Sequence, residues 1–290
     1  MSYLYETIAD LAHLSESHQL PMWEIVLRAE METTGESREV IEREALRRIN
    51  IFKDSVCNGV VDRTRTVSGM SGGQAPVLME HTPKLMSEVT YKAMTYAIAV
   101  NEANAKMFRV VACPTAGSCG VMPGCMCALG DVFKLDDAAY LRGFFVGAGI
   151  GNVITNQACV AGAVGGCQAE VGSAAAMAAG AVVAMLEGTT DEIVNAMALC
   201  LKNVLGLVCD PVAGLVEVPC VKRNGIYAVH AMTAAEMAMA GLISQIPVDE
   251  VIEAMNRIGR ALPSSLRETS EGGLAVTETA KRIAEQLKNM

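Results

Sequence analysis

Between Val171 and Leu186 the chain reads Val-Gly-Ser-Ala-Ala-Ala-Met-Ala-Ala-Gly-Ala-Val-Val-Ala-Met-Leu, sixteen consecutive apolar or small residues. Wound as a helix, such a segment has no face fit to meet water. It is also shorter than the roughly twenty residues needed to cross a bilayer. The remaining option is a helix enclosed by other helices, and its Ala and Gly residues let those neighbours come close. The rest of the composition agrees: 51% of residues are hydrophobic but only 4% are aromatic, the balance being Ala, Val, Met and Gly. Few strands are expected, and the chain reads as all-α.

Periodicity places helices at about Ser2 to Leu14, Met22 to Glu32 and Ser37 to Lys53, forming a polar N-terminal layer over residues 1–54. Further helices are expected at Lys84 to Met107, Asp136 to Cys159, Gln168 to Leu186, Thr190 to Leu205, Gly225 to Leu242, Val248 to Ile258 and Thr277 to Leu287. No repeat or interdomain linker interrupts residues 1–290, so a single domain with the N-terminal layer at its periphery is predicted. Ser55 to Pro76 breaks the helical pattern, and Val67 to Gln74 is a loop of small residues, either a plain connector or a cradle of backbone N–H groups for an anion. Cys113-Pro-Thr115-Ala-Gly-Ser118-Cys119-Gly precedes an apolar run, as a helix start does, where Thr115 and Ser118 serve either as caps or as ligand contacts.

The net charge of −9, from 23 basic against 32 acidic residues, argues against nucleic acid or an anionic membrane as partner. Ten cysteines would suit a secreted disulfide framework. The start Met1-Ser-Tyr-Leu-Tyr-Glu6, however, has no basic region followed by an apolar stretch, so a reducing, cytoplasmic setting with free or metal-bound thiols is expected. Three of those cysteines stand apart. Cys167, Cys209 and Cys220 lie among Gly and Pro, where the backbone turns, rather than inside apolar helices. Their separations of 42 and 11 residues match no local zinc or ferredoxin knuckle. They are either buried packing thiols or ligands of a site assembled by the fold, where three helix termini meet. The remaining seven mostly occupy apolar helical context and are expected in the core.

Gly-Gly-Cys167-Gln-Ala-Glu-Val-Gly, Cys209-Asp-Pro-Val-Ala-Gly-Leu-Val-Glu-Val-Pro-Cys220 and Cys113-Pro-Thr-Ala-Gly-Ser118 closely resemble the alpha chain of bacterial iron–sulfur L-serine dehydratases. The likeness covers nearly the whole chain and extends to Asn101-Glu-Ala-Asn104, Arg223-Asn224, Leu266-Arg-Glu-Thr269 and Gly272-Gly-Leu-Ala275. The resemblance implies a helical fold, conversion of L-serine to pyruvate and ammonia, and a four-iron four-sulfur cluster on Cys167, Cys209 and Cys220. Single-chain members carry an additional N-terminal Ser-His-Thr-x-Gly-Pro type motif. Met79-Glu-His-Thr-Pro83 shares only a dipeptide with it, which implies a separate beta chain and an alpha–beta unit that can form a homo-oligomer. Some relatives cap the open iron with a cysteine of their own tail. This chain ends Gln286-Leu-Lys-Asn-Met290, so that position is expected to hold water or substrate.

Dehydrating serine requires a base for the α-proton and stabilisation of the departing oxygen. An iron free of a protein ligand would serve as Lewis acid for the second need. For the substrate carboxylate the candidates are Ser71 with its Gly loop, Thr115, Ser118 and Arg223, the last facing the cluster or forming a structural salt bridge. The base is unassigned: Glu170, Asp210, His81 and His230 are weak candidates, and the beta chain is an alternative source. A pyridoxal mechanism is disfavoured because Lys202 and Lys222 lack a phosphate loop. The rivals are a related lyase acting on L-cysteine, a non-catalytic iron–sulfur oxygen sensor, and a metal-free helical scaffold. Alanine at Cys167, Cys209 or Cys220 is expected to abolish iron binding and activity, whereas Cys57→Ala is expected to be tolerated. Iron and sulfide analysis of anaerobically purified variants checks this, and retention of iron and activity in any of the three removes that ligand.

Overall fold

The computed structural model describes residues 2–289. It is all-α, with no strand among the described residues. The N-terminal layer comprises α1 (Ile8–His18), α2 (Met22–Thr34) and α3 (Arg38–Gly59). A short α4 (Gln74–Glu80) precedes the bundle of α5 (Glu88–Ala105), α6 (Val121–Phe133) and α7 (Asp137–Gln157). After the one-turn α8 (Gly162–Gly165), a π-helical turn, Gln168–Gly172, leads into α9 (Ser173–Met185). The chain continues through α10 (Thr190–Lys202), α11 (Cys220–Met239), α12 (Val248–Ala261) and α13 (Glu278–Lys288).

The enclosed helix expected from composition is α9. All its residues are buried, and it packs against α6, α7, α10 and α11. The wider apolar stretch Gln168–Met185 is long enough to span a membrane, yet 94% of it lies inside the fold. Small residues set the spacing around it. At the crossing of α5 and α6, a Cβ on Gly124 would stand 2.7 Å from the backbone N of Ala97 and 2.8 Å from the carbonyl O of Ala93. Both are backbone atoms that no rotamer change can move aside. The N-terminal helices belong to the same apolar core, which includes Ile8, Leu11, Ile25, Ile49 and Phe52 beside α9.

Several helix ends differ from the sequence pattern, each for a local reason. Helix α1 begins at Ile8 rather than Ser2, because Thr7 and Asp10 form a capping box there. The backbone N–H of Tyr3 is spent on Glu32, 2.7 Å away. Helix α5 starts at Glu88, where Ser87 caps the N–H of Thr90, and not at Lys84. Helix α3 runs on to Gly59, which lies against α5 with room only for hydrogen: a Cβ would sit 2.5 Å from the Ala99 carbonyl O. Helix α11 starts five residues early, at Cys220 itself.

Replacing a helical Gly by Ala normally gains about 1 kcal/mol. At Gly124 the backbone overlap reverses the sign, and Gly124→Ala is expected to lose about 1–3 kcal/mol in urea unfolding. A gain in stability would show that α5 and α6 are not in this close register.

Candidate functional site

Gln168 explains how Cys167 and Cys209 meet. Its backbone N–H donates to the carbonyl O of Leu207 at 3.0 Å, its side-chain O accepts from Gly206 N at 2.8 Å, and its amide N donates to Met255 O at 2.9 Å. These bonds pin the start of the π turn to the irregular segment leading to Cys209. On the other side, Arg223 of α11 donates to Val208 O at 3.0 Å and to the Asp210 carboxylate at 2.8 Å, holding the chain before and after Cys209. Cys220 opens the same helix one turn earlier. The three thiols, each at most 8% exposed, therefore share one region.

Only two of the three lie at helix ends as expected. Cys167 is the N-cap of the π turn and Cys220 the first residue of α11, but Cys209 sits in irregular chain, its N–H donating to Leu266 O at 3.0 Å. A fixed loop, not a helix, presents it.

Electrostatics distinguishes Cys167 from the packing cysteines. Burial pushes up Cys113, Cys119, Cys125, Cys127 and Cys200. Cys167 is instead lowered, by the hydrogen bond with Cys209 and by the Arg223 guanidinium, against the opposing effect of its own burial. Cys209 is raised by that same hydrogen bond and by burial, and burial takes Cys220 to about 12. A metal bound by these three thiols would displace their protons.

Gly162 is closely approached beside them. A Cβ built on Gly162 would fall 3.0 Å from Cys209 Sγ, 3.2 Å from Glu170 Oε2 and 3.3 Å from Glu268 Oε2. Two carboxylates and a thiol thus converge on a position where only glycine fits without a shift of its neighbours. Glu170 accepts a hydrogen bond from Thr115, and its carboxyl is raised by burial, with the nearby Glu268 charge adding to the shift. On its far side is Gly117, where a Cβ would lie 2.7 Å from Glu170 Oε1.

The remaining candidates separate into two groups. Thr115 and Ser118 share a hydrogen bond of 3.0 Å next to Glu170. Neither caps α6, which starts at Val121 without a side-chain cap; the N–H of Gly120 is taken by Asn224 Oδ1 at 2.9 Å. Ser71 is fully buried and donates to Glu217, three residues before Cys220, so its hydroxyl serves the cysteine-bearing loop from behind. Arg223 forms the structural salt bridge, with Asp210, and lies close to Cys167. His230 binds the carbonyl O of Cys200 at 2.9 Å, and His81 is exposed.

Three contributors escaped the motif reading. Asn224 ties the site together, donating to Gly117 O and Cys220 O, each at 2.9 Å. Glu268 arrives from a segment without regular helix, and Gln168 acts through its backbone as well as its side chain. All three stand inside or beside the quoted motifs, which was the available signal, but their partners lie up to 107 residues away.

Among the described residues, no three His, Cys, Asp or Glu side chains are grouped to hold a single metal ion. A polynuclear cluster spaces its ligands more widely than one ion does. Three converging buried thiols, with the Cys167 thiol lowered by its hydrogen bond with Cys209 and by the Arg223 guanidinium, are a donor set of the soft type that suits iron–sulfur chemistry.

Fold and site together define an all-α protein in which three cysteines distant in sequence are brought into one buried region. The serine dehydratase alpha chain family matches residues 17–275, and the chain belongs to that family. A probable L-serine dehydratase alpha chain from Bacillus subtilis is 42% identical over 287 residues, covering 98% of this chain and 95% of the relative. The L-serine dehydratase alpha chain of Peptoniphilus asaccharolyticus is 37% identical, covering 97% of each. An L-serine dehydratase of Escherichia coli is 41% identical over 184 residues, which are 62% of this chain and 40% of that longer protein.

Asn224→Ala leaves the Gly120 N–H without its acceptor and removes one donor each from Cys220 O and from Gly117 O, the latter still bonded by Asn101 Nδ2 at 3.0 Å. It is expected to cost about 1–3 kcal/mol in chemical unfolding of the metal-free chain. A change near zero would mean that water or another group already serves those atoms.

Proposed function

We propose that this chain is the alpha subunit of an iron–sulfur L-serine dehydratase, a lyase that forms pyruvate and ammonia together with a beta chain. The observation that carries the reading is the convergence of Cys167, Cys209 and Cys220 beside Glu170 and Glu268, in a member of the serine dehydratase alpha chain family. These three thiolates would hold a four-iron four-sulfur cluster. When bound, a cluster with three protein ligands supplies a Lewis-acidic position for a departing hydroxyl oxygen.

The chain's own residues supply the rest. Arg223 fixes the backbone on both sides of Cys209 and keeps Cys167 disposed to ionise. Thr115 and Ser118 present hydroxyls beside Glu170 for a substrate carboxylate, and Thr115 orients Glu170. Glu170, whose carboxyl is raised by burial, can hold a proton at Oε2, the oxygen beside Gly162. Gly117 and Gly162 let the chain pack closely on both sides of that carboxyl. The base for the α-proton stays unassigned, with the beta chain as one source for it. Ser71 is read as a support of the loop before Cys220 as well as a candidate for the substrate carboxylate. The whole of residues 1–290 is read as one catalytic domain, working in the cytoplasm.

Anaerobic co-purification with the cognate beta chain, followed by pyruvate assays with L-serine and L-cysteine, tests this function. Turnover of L-serine is expected; turnover of L-cysteine alone would assign a different lyase, and iron without turnover would favour the sensor. Because outer partners of metal ligands typically matter about 10–100-fold, Arg223→Gln is expected to lower iron affinity or activity by that factor. Unchanged iron content and activity would remove Arg223 from the site.

A further inference from the structure

The loop from Arg65 to Gly73 is held from behind by two buried carboxylates. Glu217, 7% exposed, accepts from the hydroxyls of Thr66, Ser68 and Ser71. Glu102, 1% exposed, accepts from the backbone N–H groups of Gly72, Gln74 and Ala75 at 2.9, 3.1 and 3.3 Å. Neither has an ion-pair partner among the described residues, so hydrogen bonds from this loop and from the start of α4 are what satisfy them. At Gly72, with φ +97°, the chain doubles back so closely that a Cβ would lie 2.4 Å from Thr64 O. The loop is a preformed wall.

In front of that wall is a groove of about 490 Å³, lined by Gly72, Val77, Met94, Ile98 and Ile226, with Arg65 and Lys222 as its charged members. Val77 and Ile226 are 59% and 61% exposed, a cost a free surface would not ordinarily keep side by side. No acidic residue lines the groove, and neither Arg65 nor Lys222 makes an ion pair among the described residues. In a chain of net charge −9 this is a local reversal of sign. Its complement is an apolar segment carrying a carboxylate. The groove also adjoins the candidate site through two elements: α11, which carries Lys222 and Ile226, begins at Cys220, and the loop's hydroxyls bond Glu217 just ahead of that cysteine. In the longer Escherichia coli relative the matching region is 40% of the protein, so there the fold is accompanied by much further polypeptide.

We propose that this groove is the docking site of the beta chain, which seats an apolar segment bearing Asp or Glu against Val77 and Ile226 within reach of Arg65 and Lys222. The inference rests on the two-chain reading above and adds the face on which the chains meet. A second consequence is mechanical: a partner on this wall bears on Glu217, and through it on the loop that ends at Cys220.

The test uses the full alpha chain and its cognate beta chain under anaerobic conditions, with affinity measured by titration calorimetry. Ile226→Asp and Lys222→Glu are each expected to weaken association by about tenfold or more. Leu242→Asp, 50% exposed and beyond the end of α11, is the control expected to bind normally. Unchanged thermal melting of the free variants confirms that their fold is intact. The proposal is overturned if both groove variants bind within about threefold of the unsubstituted chain. It is also overturned if the alpha chain alone sediments as a dimer that Ile226→Asp splits, since a second copy would then be the occupant. Failure of the unsubstituted chain to bind at all would remove the two-chain reading itself, an outcome distinct from failure of the face.

Discussion

The grip of Arg223 on the chain around Cys209 is the interaction on which the rest of the site depends. A guanidinium that is largely enclosed loses hydration, and two directed bonds, to Val208 O and to Asp210, offset that loss. Asp210 is itself held by the N–H of Leu274 at 2.8 Å, so the same contact draws in the C-terminal segment that carries Glu268. Cys209, Cys220 and Glu268 come from three parts of the chain, and one side chain sets their spacing. Cys167 joins them through Gln168, which performs the equivalent service on the other side.

This local order needs a frame that does not yield. The frame is a bundle of small residues, in which α9 touches four helices and glycines at the crossings admit backbone where a side chain would stand. Such packing is intolerant of added volume, as dense interiors are. The π turn after Cys167 is the one departure from regular helix at the head of α9, and departures of this kind are frequent at functional sites. Here it lies between Cys167 and the central helix and carries Glu170 toward Gly162.

What the sequence disclosed and what it hid follow from the range of the interactions. The enclosure of α9 was legible because every one of its positions is apolar or small, so no alternative face existed. The starts of α1 and α5 were misplaced because single caps, Thr7 and Ser87, decide them within a turn. The beginning of α11 at Cys220 was hidden by Pro219 and by the polar run Lys222-Arg-Asn224, which has no apolar period. Thr115 and Ser118 looked like caps on local grounds, yet Thr115 spends its hydroxyl on Glu170, 55 residues on. The meeting of Glu170, Glu268 and Cys209 at Gly162 has no sequence signature, since it exists only once three loops are in place.

The most direct measurement is Mössbauer spectroscopy of the anaerobic alpha–beta complex loaded with isotopically enriched iron, with and without L-serine. The three-thiolate assignment predicts a cluster in which one iron differs from the other three, and predicts that L-serine changes the signal of that iron alone. Four equivalent irons, or a spectrum indifferent to L-serine, would contradict it.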